Sequence, residues 1–163
     1  MKLYDEAAVL LTFTKALADA RARLAQIEVY SGDPVSFGGF NGWVFEETVR
    51  FCLRRELDAL GNQGRIESQV KLRGRVKVDL LVGGVVFVEL KAGGLFGKAD
   101  ADKYAAYRAL AEQANRGFLF LSVGETHPPY RAAIIEAVSA ERAFFLDTPG
   151  DWARFVSQVA SHL

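Results

Sequence analysis

The chain is short of cysteine, histidine and net charge, and each shortage excludes something. Of 163 residues, one is cysteine and two are histidine. No internal disulfide framework is possible, and His127 and His162 lack a second histidine or cysteine at zinc-ligand spacing. Cys52 stands among apolar residues of a helical segment, where a small core residue is expected rather than a nucleophile. A lone cysteine fits the reducing cytoplasm. Lysine plus arginine equals aspartate plus glutamate, at 20 each, so any nucleic-acid binding must come from a local basic patch. No apolar run approaches the roughly 20 residues that cross a bilayer, so no membrane partner is expected. The opening Met1-Lys2-Leu3-Tyr4-Asp5-Glu6 is acidic where a secretory leader is basic and apolar, so no export is expected. Gly38-Gly39 and Gly93-Gly94 are not followed by Gly-Lys-Ser/Thr, which makes them rims of a cleft rather than phosphate loops.

Half the residues are apolar and 25% are charged, a globular balance, and the length predicts one domain over residues 1–163. Ala7, Leu10, Leu11, Leu17, Leu24 and Ile27 recur at helical spacing, giving a long helix over about residues 5–29. A second helix is expected over 43–60, closed by Gly61-Asn62-Gln63-Gly64. Three strands follow at 66–72, 76–82 and 85–91, an antiparallel meander with Gly83-Gly84 between the last two. A helix over 99–115 leads to the apolar strand 117–123, of the kind covered on both faces. Thr126-His127-Pro128-Pro129 reads as a loop, 130–139 as a helix and 143–146 as a short strand. Thr148-Pro149 reads as an N-cap and first helical residue of a last helix carrying Trp152, Phe155, Val156 and Val159. The expected fold is mixed α/β, a central mixed sheet flanked by helices. Its parts are an N-terminal helix (1–30), a core bearing the chemistry (39–124) and a helix-strand-helix extension (125–163).

The informative residues are Asp79, Glu89 and Lys91, three charges inside otherwise apolar strands. Such charges are costly unless paired or bound to a metal. Glu89 and Lys91 are two apart and share a strand face. An Asp and a Glu converging on one point suit Mg²⁺, and a lysine beside them can orient or deprotonate a water or offset phosphate charge. A two-residue Gly83-Gly84 hairpin would set Asp79 against Val88, on the wrong face; a three-residue Gly83-Gly84-Val85 connection sets it against Glu89. The second register is expected. On the preceding helix Glu46 falls within the apolar arc of Phe45, Val49, Cys52, Leu53, Leu57 and Leu60, whereas Glu47 lies toward the arginines. Trp43 and Phe40 are candidates either for stacking on bases or for lids over the core.

Asp79 followed by Glu89-Leu90-Lys91 on the next strand, with an acidic residue on the preceding helix, resembles the PD-(D/E)XK, or restriction-endonuclease-like, nuclease superfamily. The resemblance covers roughly residues 39–124, and that superfamily's αβββαβ core matches the order of elements read above. Gly39 to Glu46 (GFNGWVFE), Val78 to Val82 and Glu89-Leu90-Lys91-Ala92 look more narrowly like the small bacterial GxxExxY proteins. Gly42 stands where that branch has its first glutamate. Lys103-x-x-x-Tyr107 replaces a Gln-x-x-x-Tyr, and Val78 replaces the proline before the aspartate.

The resemblance implies metal-dependent hydrolysis of phosphodiesters in nucleic acid, DNA first. Asp79, Glu89 and the Leu90 carbonyl would bind Mg²⁺ or Mn²⁺, Lys91 would position or activate water, and Glu46 would assist, at a second ion if there is one. Lys103 and Tyr107, one turn apart, suit a phosphate contact that Lys98 and Arg108 extend. Lys71, Arg73, Arg75 and Lys77 offer a second basic edge. A homodimer through the N-terminal helix would serve double-strand cutting. The competing reading is a catalytically silent module on the same fold that binds nucleic acid or a protein.

Overall fold

A computed structural model describes residues 3–32, 39–93 and 98–163, with the side chains of residues 27, 28, 30, 31 and 98 left aside. The elements run α1 (Glu6–Ser31), α2 (Phe40–Ala59), β1 (Ile66–Arg73), β2 (Val76–Val82), β3 (Val86–Ala92), α3 (Lys98–Gln113), β4 (Gly117–Val123), α4 (Pro128–Val138), β5 (Ala143–Phe145) and α5 (Asp151–Ser161). This is the expected mixed α/β order. The five strands form one sheet in the order β1-β2-β3-β4-β5, antiparallel from β1 to β3 and parallel from β3 to β5. No described helix is long and apolar enough to cross a membrane.

Helix ends follow local chemistry. Asp5 Oδ1 accepts the Ala8 N–H at 2.8 Å, a side-chain cap on α1. Past α2, Gly61 adopts φ 74 and the Asn62 N–H returns to the Leu57 carbonyl at 2.8 Å, the paired-bond ending that only a left-handed residue allows. α3 stops short of residue 115 because Asn115 turns left-handed, at φ 53. α4 starts earlier than expected, at Pro128, because proline presets helical φ and the first turn needs no N–H.

The start of α5 corrects the sequence reading. Its N-cap is Gly150 and its first residue Asp151, not Thr148 and Pro149. The Thr148 hydroxyl is engaged by Arg131 instead. Asp151, buried, accepts the Phe145 N–H at 2.9 Å and pairs with Arg154 at 2.6 Å, which fixes the helix start one turn after β5.

Two apolar clusters lie on the two faces of the sheet. One joins Val9 of α1, Phe45, Val49, Cys52 and Leu53 of α2, and Trp152 and Phe155 of α5 to Leu80, Val88 and Leu121. The other joins Ala101 and Tyr104 of α3 and Ile134 and Val138 of α4 to Leu81, Phe87 and Phe120. Each fully buried large side chain contributes roughly 1.5–3 kcal/mol of burial. β4 is buried along nearly its whole length, as its unbroken apolar run predicts. Two acidic residues serve the packing. Glu56 accepts the Leu3 and Tyr4 N–H groups and reaches the Trp152 indole N–H, while Glu6 accepts the Trp152 backbone N–H.

Candidate active site

The β2–β3 pairing is Leu80 with Val88, Leu81 with Phe87 and Val82 with Val86. The connection is therefore three residues, Gly83-Gly84-Val85, with both glycines left-handed at φ 59 and 73 and the Val85 N–H on the Val82 carbonyl. Carrying that register on places Asp79 opposite Glu89, as the metal-site reading requires.

A second feature has no signal in the sequence. Gln69 of β1, which the register of its neighbours sets opposite Asp79, has φ 53. Side-chain alternation reverses there. Ile66 and Leu80 pack on the α2 side of the sheet, yet Val70, Leu72 and Val78 pack on the α3 side. Two residues of spacing should keep one face, so both strands are turned by one step at the Gln69–Asp79 pair. A left-handed glutamine costs about 1–2 kcal/mol. Its side chain uses that position: Nε2 donates to Glu46 Oε2 at 2.9 Å and to Asp79 Oδ1 at 3.2 Å. The other Asp79 oxygen accepts the Leu90 N–H at 2.7 Å.

Glu46, Gln69, Asp79 and Leu90 line an open cleft of about 380 Å³ with Gly39, Gly42, Trp43, Glu47 and Ser68. Among the described residues, three carboxylates and no cation form its charged lining. Glu89 sits behind Asp79, toward α3, 5% exposed. Its Oε1 is 3.0 Å from Lys103 Nζ. Its Oε2 is buried with no hydrogen-bond partner among the described residues. Burial, then the Asp79 charge, push the Glu89 carboxyl up to about 7, against the pull of Lys103 and of the Asp79 N–H. Burial also raises Asp79, with the Leu90 N–H, Gln69 and Lys103 opposing. Glu46 is raised by burial and by Asp79, with Gln69 opposing. Burial works against the Lys103 charge, but Glu89 outweighs it and the ammonium is held above its ordinary value.

The structure joins some expected site residues and separates others. Asp79, Leu90 and Glu89 are adjacent. Glu46 reaches Asp79 only through the Gln69 amide, and among the described residues no group of three or more His, Cys, Asp or Glu surrounds one point. Lys91 points to the Glu89 side of β3 and lies 3.7 Å from Asp100 of α3. Lys103 is drawn onto Glu89, its Nζ 4.9 and 5.1 Å from the Tyr104 and Tyr107 ring centres. Arg108 is bound to Glu112 and the Ala137 carbonyl, and Arg73 reaches Gln113 of α3 at 3.5 Å. Arg75 is exposed in the β1–β2 turn, and the Lys98 side chain and Gly38 and Gly94 lie outside the described residues. Glu47 pairs with Arg50 at 2.6 Å, as its helix phase predicts. Cys52 is buried in the core, its thiol pushed up to about 11 by burial. Trp43 is 57% exposed at the cleft rim with Phe40 5.9 Å away.

Besides Gln69, the sequence reading missed Ser122. It lies beside Lys91 in the β3–β4 pairing, and its buried hydroxyl has no partner among the described residues. A serine in an apolar strand was the available signal. Comparison of the chain with protein-family models, with curated proteins and with solved structures finds no match.

Proposed function

We propose that this chain is a Mg²⁺-dependent nuclease that hydrolyses phosphodiester bonds of nucleic acid, DNA first, and belongs with the PD-(D/E)XK enzymes. One observation carries the reading. A glutamate buried in the sheet faces an aspartate across a hairpin and keeps one oxygen without a partner among the described residues. Two other buried acids serve otherwise: Glu56 and Asp151 are saturated by backbone N–H groups and side-chain donors. A buried carboxylate oxygen without a partner, beside a second carboxylate, calls for a cation. The donors present, Asp79, Glu89 and the adjoining Leu90 backbone, are hard oxygens of the kind Mg²⁺ takes.

A bound Mg²⁺ supplies charge that stabilises a phosphate in its transition state and makes water more acidic. The chain's residues do the rest. Asp79 is fixed by the Leu90 N–H and Gln69. Glu46, with Oε2 held by Gln69, stands on the cleft wall with Oε1 left to take a proton from an entering water. Lys91, on the Glu89 side of the strand, orients water or offsets charge on the phosphate, and Lys103, held on Glu89, would add positive charge beside it. Trp43 stacks on a base at the rim.

Labelled linear, nicked, branched and single-stranded DNA and RNA, incubated at low salt with Mg²⁺ or Mn²⁺, test the activity. Cutting that needs metal and is lost in Glu89→Ala is the expected result. A protein that neither cuts nor gains thermal stability from Mn²⁺ refutes the reading. One observation favours the silent binding module instead: Glu89 and Lys91 already have partners in Lys103 and Asp100. Nucleic-acid binding without cutting, and without a metal response, is its signature.

A further inference from the structure

We infer that the β1–β2 arm beyond Gln69 and Asp79 is a phosphate-contacting strip, with Lys71 and Lys77 aimed to the same side of the sheet as the acidic cleft. The inference rests on the nucleic-acid reading above and deepens it by saying which surface holds the backbone and where. Val70, Leu72 and Val78 pack toward α3. Lys71 and Lys77, which alternate with them, therefore lie on the opposite face, the α2 side on which Ser68, Gln69 and Glu46 line the cleft. With unbroken alternation Val70 and Leu72 would share the face of Ile66, and Lys71 would be driven against α3. The reversal at Gln69 thus puts the apolar residues under α3 and the lysines in the open.

Lys71 and Lys77 are directly opposite each other across the strands. Like charges so placed oppose folding. Both are exposed, and among the described residues neither has an ion-pair or hydrogen-bond partner. Lys71 is two residues along the strand from Gln69, about 7 Å, and Arg75 stands exposed in the turn beyond. An acidic cleft repels a polyanion, so a substrate strand needs a cationic hold beside it, and this pair is continuous with the cleft. Arg73, turned toward Gln113, is outside the strip.

The test is the salt dependence of binding of short fluorescein-labelled duplex and single-stranded DNA, by anisotropy in EDTA, with cleavage measured separately in Mg²⁺. Lys71→Ala with Lys77→Ala should flatten the slope of log K against log salt by about 1.8 for duplex or 1.4 for single strand. Arg131→Ala, whose guanidinium pairs with Asp147 and lies over Phe145 of β5 at the opposite edge of the sheet, should leave it unchanged. Lys77→Glu should turn the cross-strand repulsion into attraction and raise Tm by about 1–3 °C, while weakening DNA binding at least tenfold. A Tm that falls together with binding would show a structural role and overturn the strip. A wild-type protein that cuts DNA while the double variant keeps the wild-type slope overturns the strip and leaves the site standing. A wild-type protein that neither binds nor cuts removes both. Binding of an acidic polypeptide in place of DNA, abolished by the double variant, also overturns it.

Discussion

Replacing Glu89 by glutamine keeps the shape of the side chain and removes its charge, and the structure fixes the size and sign of the effect. The Glu89 carboxyl is held near 7 in the folded chain against an ordinary 4.5. At 1.36 kcal/mol per pH unit, ionising it in place costs about 3 kcal/mol. Because the folded-state value is the higher, the folded chain binds the extra proton between about 4.5 and 7. Glu89 thus favours folding fully below 4.5, and that contribution is lost as pH rises through 7. In metal-free protein Glu89→Gln should therefore match wild type at about pH 4 and exceed it by up to about 3 kcal/mol at about pH 8. Asp79 and Glu46, raised in the same direction, leave a residual slope in both proteins. Urea unfolding in EDTA at the two pH values, with m-values compared, measures it. Identical pH slopes, or a variant less stable than wild type at about pH 8, would show that Glu89 carries no unrelieved charge and would remove the argument for a cation there.

Lys103→Met takes away the one cation bonded to Glu89 among the described residues. The Lys103 side chain is 43% exposed, so the loss in EDTA at about pH 8 should be only about 1 kcal/mol, and the Mn²⁺-induced rise in Tm should be larger than in wild type. An unchanged metal response would show that the two cations do not compete. Asp79→Ala should abolish the Mn²⁺ shift altogether; a surviving shift places the ion elsewhere. Gln69→Gly and Gln69→Ala both lose the bridging amide, but only glycine accepts φ 53 without strain. The glycine variant should be the more stable by about 1 kcal/mol, the reverse of the order in an ordinary strand, and the opposite result would deny the left-handed backbone.

Much of this architecture was legible because burial writes itself as periodicity. The unbroken apolar run of β4 announced a strand covered on both sides. The hairpin register followed from requiring Asp79 and Glu89 to share a site, although Gly83-Gly84 locally permits a two-residue turn as well. The reversal at Gln69 was not legible, since glutamine has no preference for left-handed backbone and the reason lies in partners distant in sequence, Glu46 and Asp79. Thr148-Pro149 misled for a related reason: the local pattern is a sound helix start, but Arg131 and the buried Asp151 offered stronger bonds. Lys103 and Arg108 read alike as exposed cations on one helix. Their different fates, one on Glu89 and one on Glu112, are decided by tertiary neighbours.

The strands lie side by side in the order in which they occur along the chain. No strand has to be threaded between two that are already paired, so the sheet can grow from its β1 edge as the chain is made. Gln69, Asp79, Glu89 and Leu90 belong to the first three strands, joined by two tight turns, where loop-closure entropy is least. The chemistry-bearing corner is therefore the segment of lowest contact order in the sheet. A segment so local is expected to pair early, and relieving its strained glutamine and crowded acids should then speed folding rather than only slow unfolding.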